Sequence, residues 1–188
     1  MIKKIETIVR GFIRDWKKNP YLWNNEIDVQ IEIACRIKKA LKHMGKERIE
    51  AKYKGYRTME IFSRVCCEPP IYFKSQGKRK KCFPDIVVFD DIPDPSKPPD
   101  EPDKKRNWPM LWVCEIKYET EWGGDFQKCN REFDQTKLKA LLQQKDGTQY
   151  ACILDLKRTQ NTKKFTPTPH QSHQNHRLLT YHISPIHP

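Results

Sequence analysis

The chain has 188 residues, of which 37% are hydrophobic and 32% charged, and its formal net charge is +12. This length is enough for one domain with a buried core, and the apolar content excludes wholesale disorder. The positive charge favours a polyanionic partner such as nucleic acid, although a basic domain without such a partner would have the same composition.

The sequence predicts neither a membrane anchor nor a disulfide framework. No apolar run reaches the length of a membrane-spanning helix, and residues 1–11 lack the continuous apolar stretch of a signal peptide. The seven cysteines are scattered, odd in number and without a C-x-x-C spacing, which is typical of free thiols in a reducing compartment. Cys66 and Cys67 are adjacent and could bind a metal, but small residues in a strand explain them more simply. We therefore expect a cytoplasmic protein with no membrane partner.

Two helices are predicted at the start of the chain. Apolar residues at helical spacing predict the first over residues 2–16, and Asn19-Pro20 ends it. Asn24 or Asn25 then caps a second helix that runs to about Gly45. Its predicted buried row is Ile27, Ile31, Ala34, Ile37 or Lys38, and Leu41.

Glu26 and Gln30 lie four residues apart at the start of the second helix, beside its predicted buried row. A carboxylate in this first turn can face a site on a neighbouring sheet. The simpler interpretation of Glu26 is an acidic residue that favours the helix start through the helix dipole.

A mixed region follows, with strands predicted over residues 59–67 and 70–73 and a basic turn over residues 75–81. A charge run of this kind is usually a solvated loop. Next to an acidic metal site it would instead supply the positive rim that phosphate binding needs. The basic residues of this run are Lys78, Arg79, Lys80 and Lys81.

Two apolar strands, residues 83–89 and 111–117, carry charges that apolar strands normally exclude. Asp85 lies at the start of the first strand. In the second, Glu115 and Lys117 point to one face of the sheet, whereas Cys114 and Ile116 point to the other. Residues 91–109 form a proline-rich insertion between the strands rather than a domain boundary.

The remaining elements are a helix over residues 126–144 and a strand over residues 149–156. Gln135 and Lys137 are expected on the solvated side of this helix. Its predicted apolar side is Phe133, Leu138, Leu141 and Leu142. We therefore expect a single domain over residues 1–160.

Residues 161–188 are predicted to be a polar, histidine-rich tail in which residues 177–183 add an edge strand. Histidines spaced by three can bind zinc on a helix, but Pro167 and Pro169 argue against a helix here.

If the two apolar strands pair, Asp85, Glu115 and Lys117 converge. Two carboxylates and an ammonium group suit a hard cation such as Mg²⁺ together with an activated water. A buried ion pair or an exposed salt bridge would use the same residue types, but it gives little reason to place three charges in apolar strands.

The segments Pro84-Asp85 and Glu115-Ile116-Lys117 resemble the motif of the PD-(D/E)XK nuclease superfamily. The helix beginning at Asn25-Glu26 resembles the one that supplies an extra acidic residue in many members. The resemblance covers residues 20–156, with a departure in the long proline-rich insertion. It implies an α/β, restriction-endonuclease-like three-layer fold with a mixed central β-sheet flanked by helices.

For the site, the resemblance implies Mg²⁺, with Mn²⁺ as a substitute, held by Asp85, Glu115, the Ile116 backbone carbonyl and Glu26. Lys117 would orient or deprotonate the attacking water, or stabilise the negative charge that develops on the phosphorane. To act as a base it would need a depressed pKa, which desolvation could provide. Gln30 would contact a metal-bound water. Glu68 is a weaker acidic candidate. The residues expected to contact nucleic acid are Lys78, Arg79, Lys80, Lys81, Gln30 and Lys137.

The sequence therefore predicts a Mg²⁺-dependent phosphodiester hydrolase acting on nucleic acid, with a DNA endonuclease favoured. The helix over residues 126–144 lacks the Gln-x-x-x-Tyr pattern of exonuclease-like members. Cleavage of both strands of a duplex would require a homodimer. Two alternatives remain open: a catalytically inactive nucleic-acid-binding module of the same fold, and a protein-interaction subunit that docks through its proline-rich loop.

Overall fold

The computed structural model describes residues 1–52, 59–75, 78–92, 109–119, 126–144, 148–157, 169–171 and 177–183. The helices are α1 (Ile2–Lys18), α2 (Glu26–His43) and α3 (Phe126–Leu142), with a short 3-10 helix at Pro20–Leu22. The first five strands are β1 (Arg48–Lys52), β2 (Met59–Ser63), β3 (Val65–Cys67), β4 (Ile71–Ser75) and β5 (Lys78–Cys82). The others are β6 (Ile86–Phe89), β7 (Met110–Glu119), β8 (Thr148–Lys157), β9 (Pro169–Gln171) and β10 (Arg177–Ile183). Most of the proline-rich insertion and most of the histidine-rich tail lie outside the described residues.

A mixed sheet of six strands forms the centre of the described part of the molecule, in the order β3-β6-β7-β8-β10-β9. Strands β7, β8 and β10 are parallel, whereas β3, β6 and β9 pair antiparallel with their neighbours. The hairpins β1–β2 and β4–β5 form two further sheets of two strands each. All four residues of β6 are buried, as expected for a strand covered on both faces.

Helices cover both faces of this sheet. One apolar core joins α1 and α2 to the sheet face that carries Cys114 and Ile116. A second core joins α3 and the β4–β5 hairpin to the opposite face, which carries Val113 and Ile153. The α/β class and the mixed sheet with flanking helices are therefore confirmed. No helix in the described ranges is long and apolar enough to cross a membrane.

The two charged strands of the sequence pair directly as β6 and β7. Ile86 lies opposite Cys114 and Val88 opposite Trp112 in antiparallel register. The ends of the proline-rich insertion meet, since the Asp90 N–H donates to the Pro109 carbonyl at 2.7 Å. The insertion therefore leaves the pairing of the two strands intact.

The predicted helix faces are correct in part. Buried as predicted are Ala34, Ile37 and Leu41 of α2 and Leu138, Leu141 and Leu142 of α3, but three other predicted residues are exposed. Ile27 and Ile31 of α2 are 59% and 54% exposed, and Phe133 of α3 is 59% exposed. Helix α2 carries apolar residues on two stripes, so its periodicity does not decide which stripe packs on the sheet. The stripe that packs includes one polar side chain: it consists of Val29, Gln30, Ile33, Ala34, Ile37 and Leu41.

Three strand predictions need correction. The basic run is strand β5, which pairs with β4, and not a turn. Residues 59–67 form two strands that are interrupted at Arg64. Arg177–Ile183 is a strand, but it is not at the sheet edge, because β9 pairs along its first three residues.

Arg64 fixes the β1–β2 hairpin to the central sheet. Its guanidinium is buried and donates to the carbonyls of Lys46 at 2.8 Å and Phe89 at 3.0 Å. It also donates to the Asp91 carboxylate at 2.6 Å. A buried guanidinium needs partners of this kind, since an unpaired charge in the interior is costly.

Candidate active site

Asp85 is held from three directions immediately before β6. Its carboxylate accepts a short hydrogen bond from the Ile116 N–H of β7. Its backbone carbonyl accepts from Gln30 Nε2 at 2.6 Å and from the Glu68 N–H at 3.2 Å. The Asp85 side chain is 8% exposed, so these contacts fix a nearly buried carboxylate at the Glu115-Ile116-Lys117 segment.

Glu68 adopts a left-handed backbone conformation, with φ of 49°. This region costs a non-glycine residue about 1–2 kcal/mol and is often found at functional sites. The conformation accompanies the Glu68 N–H contact to the Asp85 carbonyl. The described contact of Glu68 with the site is therefore made by its backbone, whereas the sequence suggested a role for its carboxylate.

Glu115 is 2% exposed on the sheet face that packs against α3. Burial, together with the negative charge of Asp85, raises the pKa of its carboxyl to about 8, although Lys137 opposes this shift. The Lys137 Nζ lies 2.6 Å from Glu115 Oε1. The two groups form a close ion pair, and Oε1 has no well-aligned donor among the described residues.

Asp134 of α3 connects the two lysines of the site. Its carboxylate oxygens lie 2.9 Å from Lys117 Nζ and 2.8 Å from Lys137 Nζ. Asp134 and Lys137 are 6% and 5% exposed. A chain of charged groups therefore runs Glu115–Lys137–Asp134–Lys117 between β7 and α3.

Lys117 lacks the depressed pKa that a general base would need. Burial by itself lowers the pKa of Lys117, but the hydrogen bond and the charge of Asp134 outweigh burial and raise it. Lys117 is therefore a protonated ammonium group at neutral pH, which suits stabilisation of negative charge better than removal of a proton from water.

Glu26 approaches the site from the other side of the sheet, in the first turn of α2. Asn25 caps this helix, with its side-chain oxygen accepting from the Asp28 N–H at 2.9 Å. The Tyr118 N–H of β7 hydrogen-bonds to the Glu26 carboxylate. Burial, followed by the charge of Asp85, raises the pKa of Glu26. The start of α2 and the end of β7 are also joined by Tyr118 Oη, which donates to the Trp23 carbonyl at 2.6 Å.

The chemistry of these side chains fits a hard divalent cation. Carboxylates are the ligands that Mg²⁺ prefers, and Glu115 Oε1 is a buried oxygen with no well-aligned donor. As they stand, no three His, Cys, Asp or Glu side chains of the described residues are grouped closely enough to hold a metal. Ammonium groups instead balance part of the carboxylate charge.

Two of the predicted nucleic-acid contacts lie inside the molecule. Gln30 and Lys137 are both 5% exposed, and their observed partners are Asp85, Glu115 and Asp134. The expectation that Lys137 lies on a solvated helix face was wrong. Asp134 was not singled out at all, although its spacing to the buried residues Leu138 and Leu141 is that of one helix face.

Cys82 at the end of β5 is a further neighbour of the charged cluster. Burial raises the pKa of its thiol to about 12, against the opposing charge of Lys137, so the thiol stays protonated. Its position shows that the basic strand β5 leads into the site. The residues that lie exposed on that strand are Lys78, Lys80 and Lys81.

An exposed aromatic side chain lies between the basic strand and Asp85. Phe83 is 51% exposed, and Lys81 Nζ lies 4.7 Å from the centre of its ring. An exposed ring next to ammonium groups is suited to stacking on a nucleobase.

No protein-family model, curated protein or solved structure matches this chain.

Proposed function

We propose that the protein is a Mg²⁺-dependent nuclease of the PD-(D/E)XK type, and that its favoured reaction is endonucleolytic hydrolysis of DNA. One observation carries the proposal. The pairing of β6 with β7 places the Asp85 carboxylate on the Ile116 N–H, between Glu115 and Lys117. Glu26 supports it as a third acidic group, through its contact with Tyr118 of the same strand.

In this proposal Asp85, Glu115, Glu26 and the Ile116 carbonyl would hold Mg²⁺. When bound, the cation offsets the negative charge of the phosphodiester and lowers the pKa of a coordinated water. Lys117 holds its proton and stabilises the charge that develops on the phosphate oxygens. Asp134 positions Lys117 at 2.9 Å, which preorganises that ammonium group before substrate arrives.

The substrate class follows from charge and from the surroundings of the site. The net charge of +12 and the exposed lysines of β5 favour a polyanion. The absence of a Gln-x-x-x-Tyr pattern on α3 favours internal cleavage. Since one site cuts one strand, two copies of the chain would be needed for a double-strand break.

Cleavage assays test this proposal directly. The purified protein is incubated with circular duplex, linear duplex and single-stranded DNA, and with RNA, in Mg²⁺, Mn²⁺ or EDTA. We expect metal-dependent cleavage that includes the circular substrate. Asp85→Ala and Lys117→Ala should each lower the rate about 100-fold or more, since both remove groups that stabilise the transition state.

Glu50→Ala on β1 and Lys4→Ala on α1 are matched controls, because both side chains are exposed. These variants should keep the activity of the wild type. If Asp85→Ala and Lys117→Ala both cleave at the rate of the wild type, the assignment of the active site to these residues is wrong.

A second candidate is a nucleic-acid-binding protein with the same architecture and no catalysis. The ion pairs of Lys137 with Glu115 and Asp134 favour it, because they neutralise the acidic cluster without any metal. Such a protein would bind an oligonucleotide equally well in Mg²⁺ and in EDTA and would cleave it in neither. Binding that accompanies metal-dependent cleavage excludes this candidate.

A further inference from the structure

A basic groove lies between the C-terminal half of α2 and the β1–β2 hairpin, apart from the charged cluster. It encloses about 510 Å³. The side chains that characterise it are Lys38, Lys39, Lys42, Arg48, Ile61 and Phe62. We call these six residues and the space between them the α2 groove.

The α2 groove is strongly positive. Its three lysines and Arg48 are exposed, and Glu47 is the one acidic residue among the described residues that line it. None of the four cations forms a salt bridge with another described residue. Neighbouring ammonium and guanidinium groups attract an external polyanion, because their fields add over a concave surface.

Apolar side chains contribute to the same groove. Ile61 is 59% exposed on β2, which is unusual for an isoleucine on a strand, and Phe62 follows it. A cationic surface next to exposed apolar groups suits a chain with charged phosphates and flat apolar bases. A lone inorganic anion would make no use of Ile61.

The groove is held in shape by the buried Arg64. Hydrogen bonds from this side chain to the carbonyls of Lys46 and Phe89 attach the β1–β2 hairpin to the central sheet. The Arg64 N–H also donates to the Glu47 carbonyl at 3.0 Å. A preformed surface loses less entropy on binding than one that must become ordered.

The groove and the site lie along the same helix. Glu26 and Gln30 occupy the start of α2, and the groove lysines occupy its second half. At 1.5 Å per residue, Lys38 and Lys42 lie about 12 and 18 Å beyond Gln30 along the axis. Cys67 is within electrostatic reach of both Lys38 and Asp85, which places the end of β3 between the two regions.

We propose that the α2 groove binds the sugar-phosphate backbone of a nucleic-acid strand roughly four to five nucleotide steps from the scissile phosphate, at about 3.4 Å per step. This inference rests on the proposed function, since the strand held in the groove is the substrate of the site. A concave, cationic groove with apolar contacts fits a strand better than the flat surface of a membrane.

The test is fluorescence anisotropy with a fluorescein-labelled 20-mer, single-stranded or duplex, in EDTA and at several salt concentrations. The variant is Lys38→Gln/Lys39→Gln/Lys42→Gln. The control, with the same change in net charge, is Lys3→Gln/Lys4→Gln/Lys18→Gln, which alters exposed lysines of α1. Thermal unfolding of each variant verifies that it is folded.

We expect the groove variant to bind about tenfold or more weakly at low salt. The slope of log K against log salt should fall by roughly two, because each lost phosphate contact removes about 0.7–0.9. The control should stay within about twofold of the wild type. In cleavage, the groove variant should raise KM with little change in kcat, as expected for a contact made equally in the ground and transition states.

Three results would overturn the inference. The groove variant could bind the oligonucleotide with the affinity and salt slope of the wild type, or the control variant could lose as much affinity as the groove variant. The groove variant could also lose binding to anionic phosphatidylserine vesicles while its oligonucleotide binding is unchanged. A different result would show that the nuclease proposal fails while the groove inference holds. If the wild type never cleaves but the groove variant alone loses oligonucleotide binding, the groove inference stands as a binding surface and the nuclease proposal fails.

Discussion

Glu115 shows how burial and a neighbouring charge act on a single carboxyl. An ordinary glutamate has a pKa near 4.5, and this carboxyl has a pKa of about 8. The folded protein therefore retains a proton that the unfolded chain loses as the pH rises between these values. The stabilisation that results is fully present below about pH 4.5 and is lost as the pH rises through 8.

This difference predicts the pH dependence of stability in the metal-free protein. The free energy of unfolding of the wild type, relative to that of Glu115→Gln, should fall between pH 5 and pH 9, because glutamine carries no titrating proton. Urea denaturation of both proteins in EDTA, at a series of pH values, measures this difference in the free energy of unfolding. A difference that stays constant or rises with pH would contradict the assignment.

Asp134 is the residue on which both lysines of the site depend. Asp134→Asn should cost about 3 kcal/mol of stability, since it leaves buried ammonium groups without their shared carboxylate. Asp15→Asn is the control. Asp15 also forms an ion pair, with Arg36 at 2.7 Å, but it is 42% exposed, so its loss should cost less than about 1 kcal/mol.

Denaturant unfolding of the two variants at pH 7 measures the comparison. Equal costs for Asp134→Asn and Asp15→Asn would show that the buried pairs contribute no more than a surface pair. A part of the loss should be recovered in Asp134→Asn/Lys137→Met, because that double variant also removes one unpaired charge.

Among the structural elements, the β1–β2 hairpin depends on one side chain. Arg64→Met should cost about 3 kcal/mol, because it leaves buried carbonyls unsatisfied and removes the attachment to the central sheet. Asp91→Asn removes only the ionic partner, which is 67% exposed, and should cost less than about 1 kcal/mol. Thermal and chemical denaturation compare the stability of the two variants. If Arg64→Met costs no more than Asp91→Asn, other contacts attach the hairpin to the sheet.

The elements also show what the sequence could predict. The strands that carry Asp85 and Glu115 were predictable, because short apolar runs bounded by turns identify buried strands. The alternation of faces along β7 was predictable for the same reason. The packed stripe of α2 was predictable only in part. Ala34, Ile37 and Leu41 were placed correctly, but Ile27 and Ile31 match the helical period as well as Val29 and Ile33 do.

Polar groups inside the site were the hardest to predict. Lys137 was assigned to solvent because a lysine on a helix is exposed far more often than buried. Its burial depends on Glu115, which comes from a distant strand, so no local pattern contains the information. The basic strand β5 was read as a turn because its cross-strand partners, Ile71 and Phe73, lie in another segment.

At the scale of the whole molecule, the net charge of +12 includes two groups of exposed basic residues that bear on the proposed function. One is strand β5, which leads into the charged cluster through Cys82. The other is the α2 groove, which lies along the helix that supplies Glu26 and Gln30. Strand β5 packs on the sheet face that α3 covers, whereas α2 covers the opposite face.

Calorimetric titration of Mg²⁺ into the protein tests whether the acidic cluster binds a divalent cation, and it needs no known substrate. We predict saturable heat for the wild type and for Glu50→Gln. Binding should be at least about tenfold weaker in Asp85→Asn and in Glu115→Gln, since each variant removes a charged ligand. The absence of saturable Mg²⁺ binding in the wild type, or equal Mg²⁺ affinity in Asp85→Asn, would show that the acidic cluster is not a cation site.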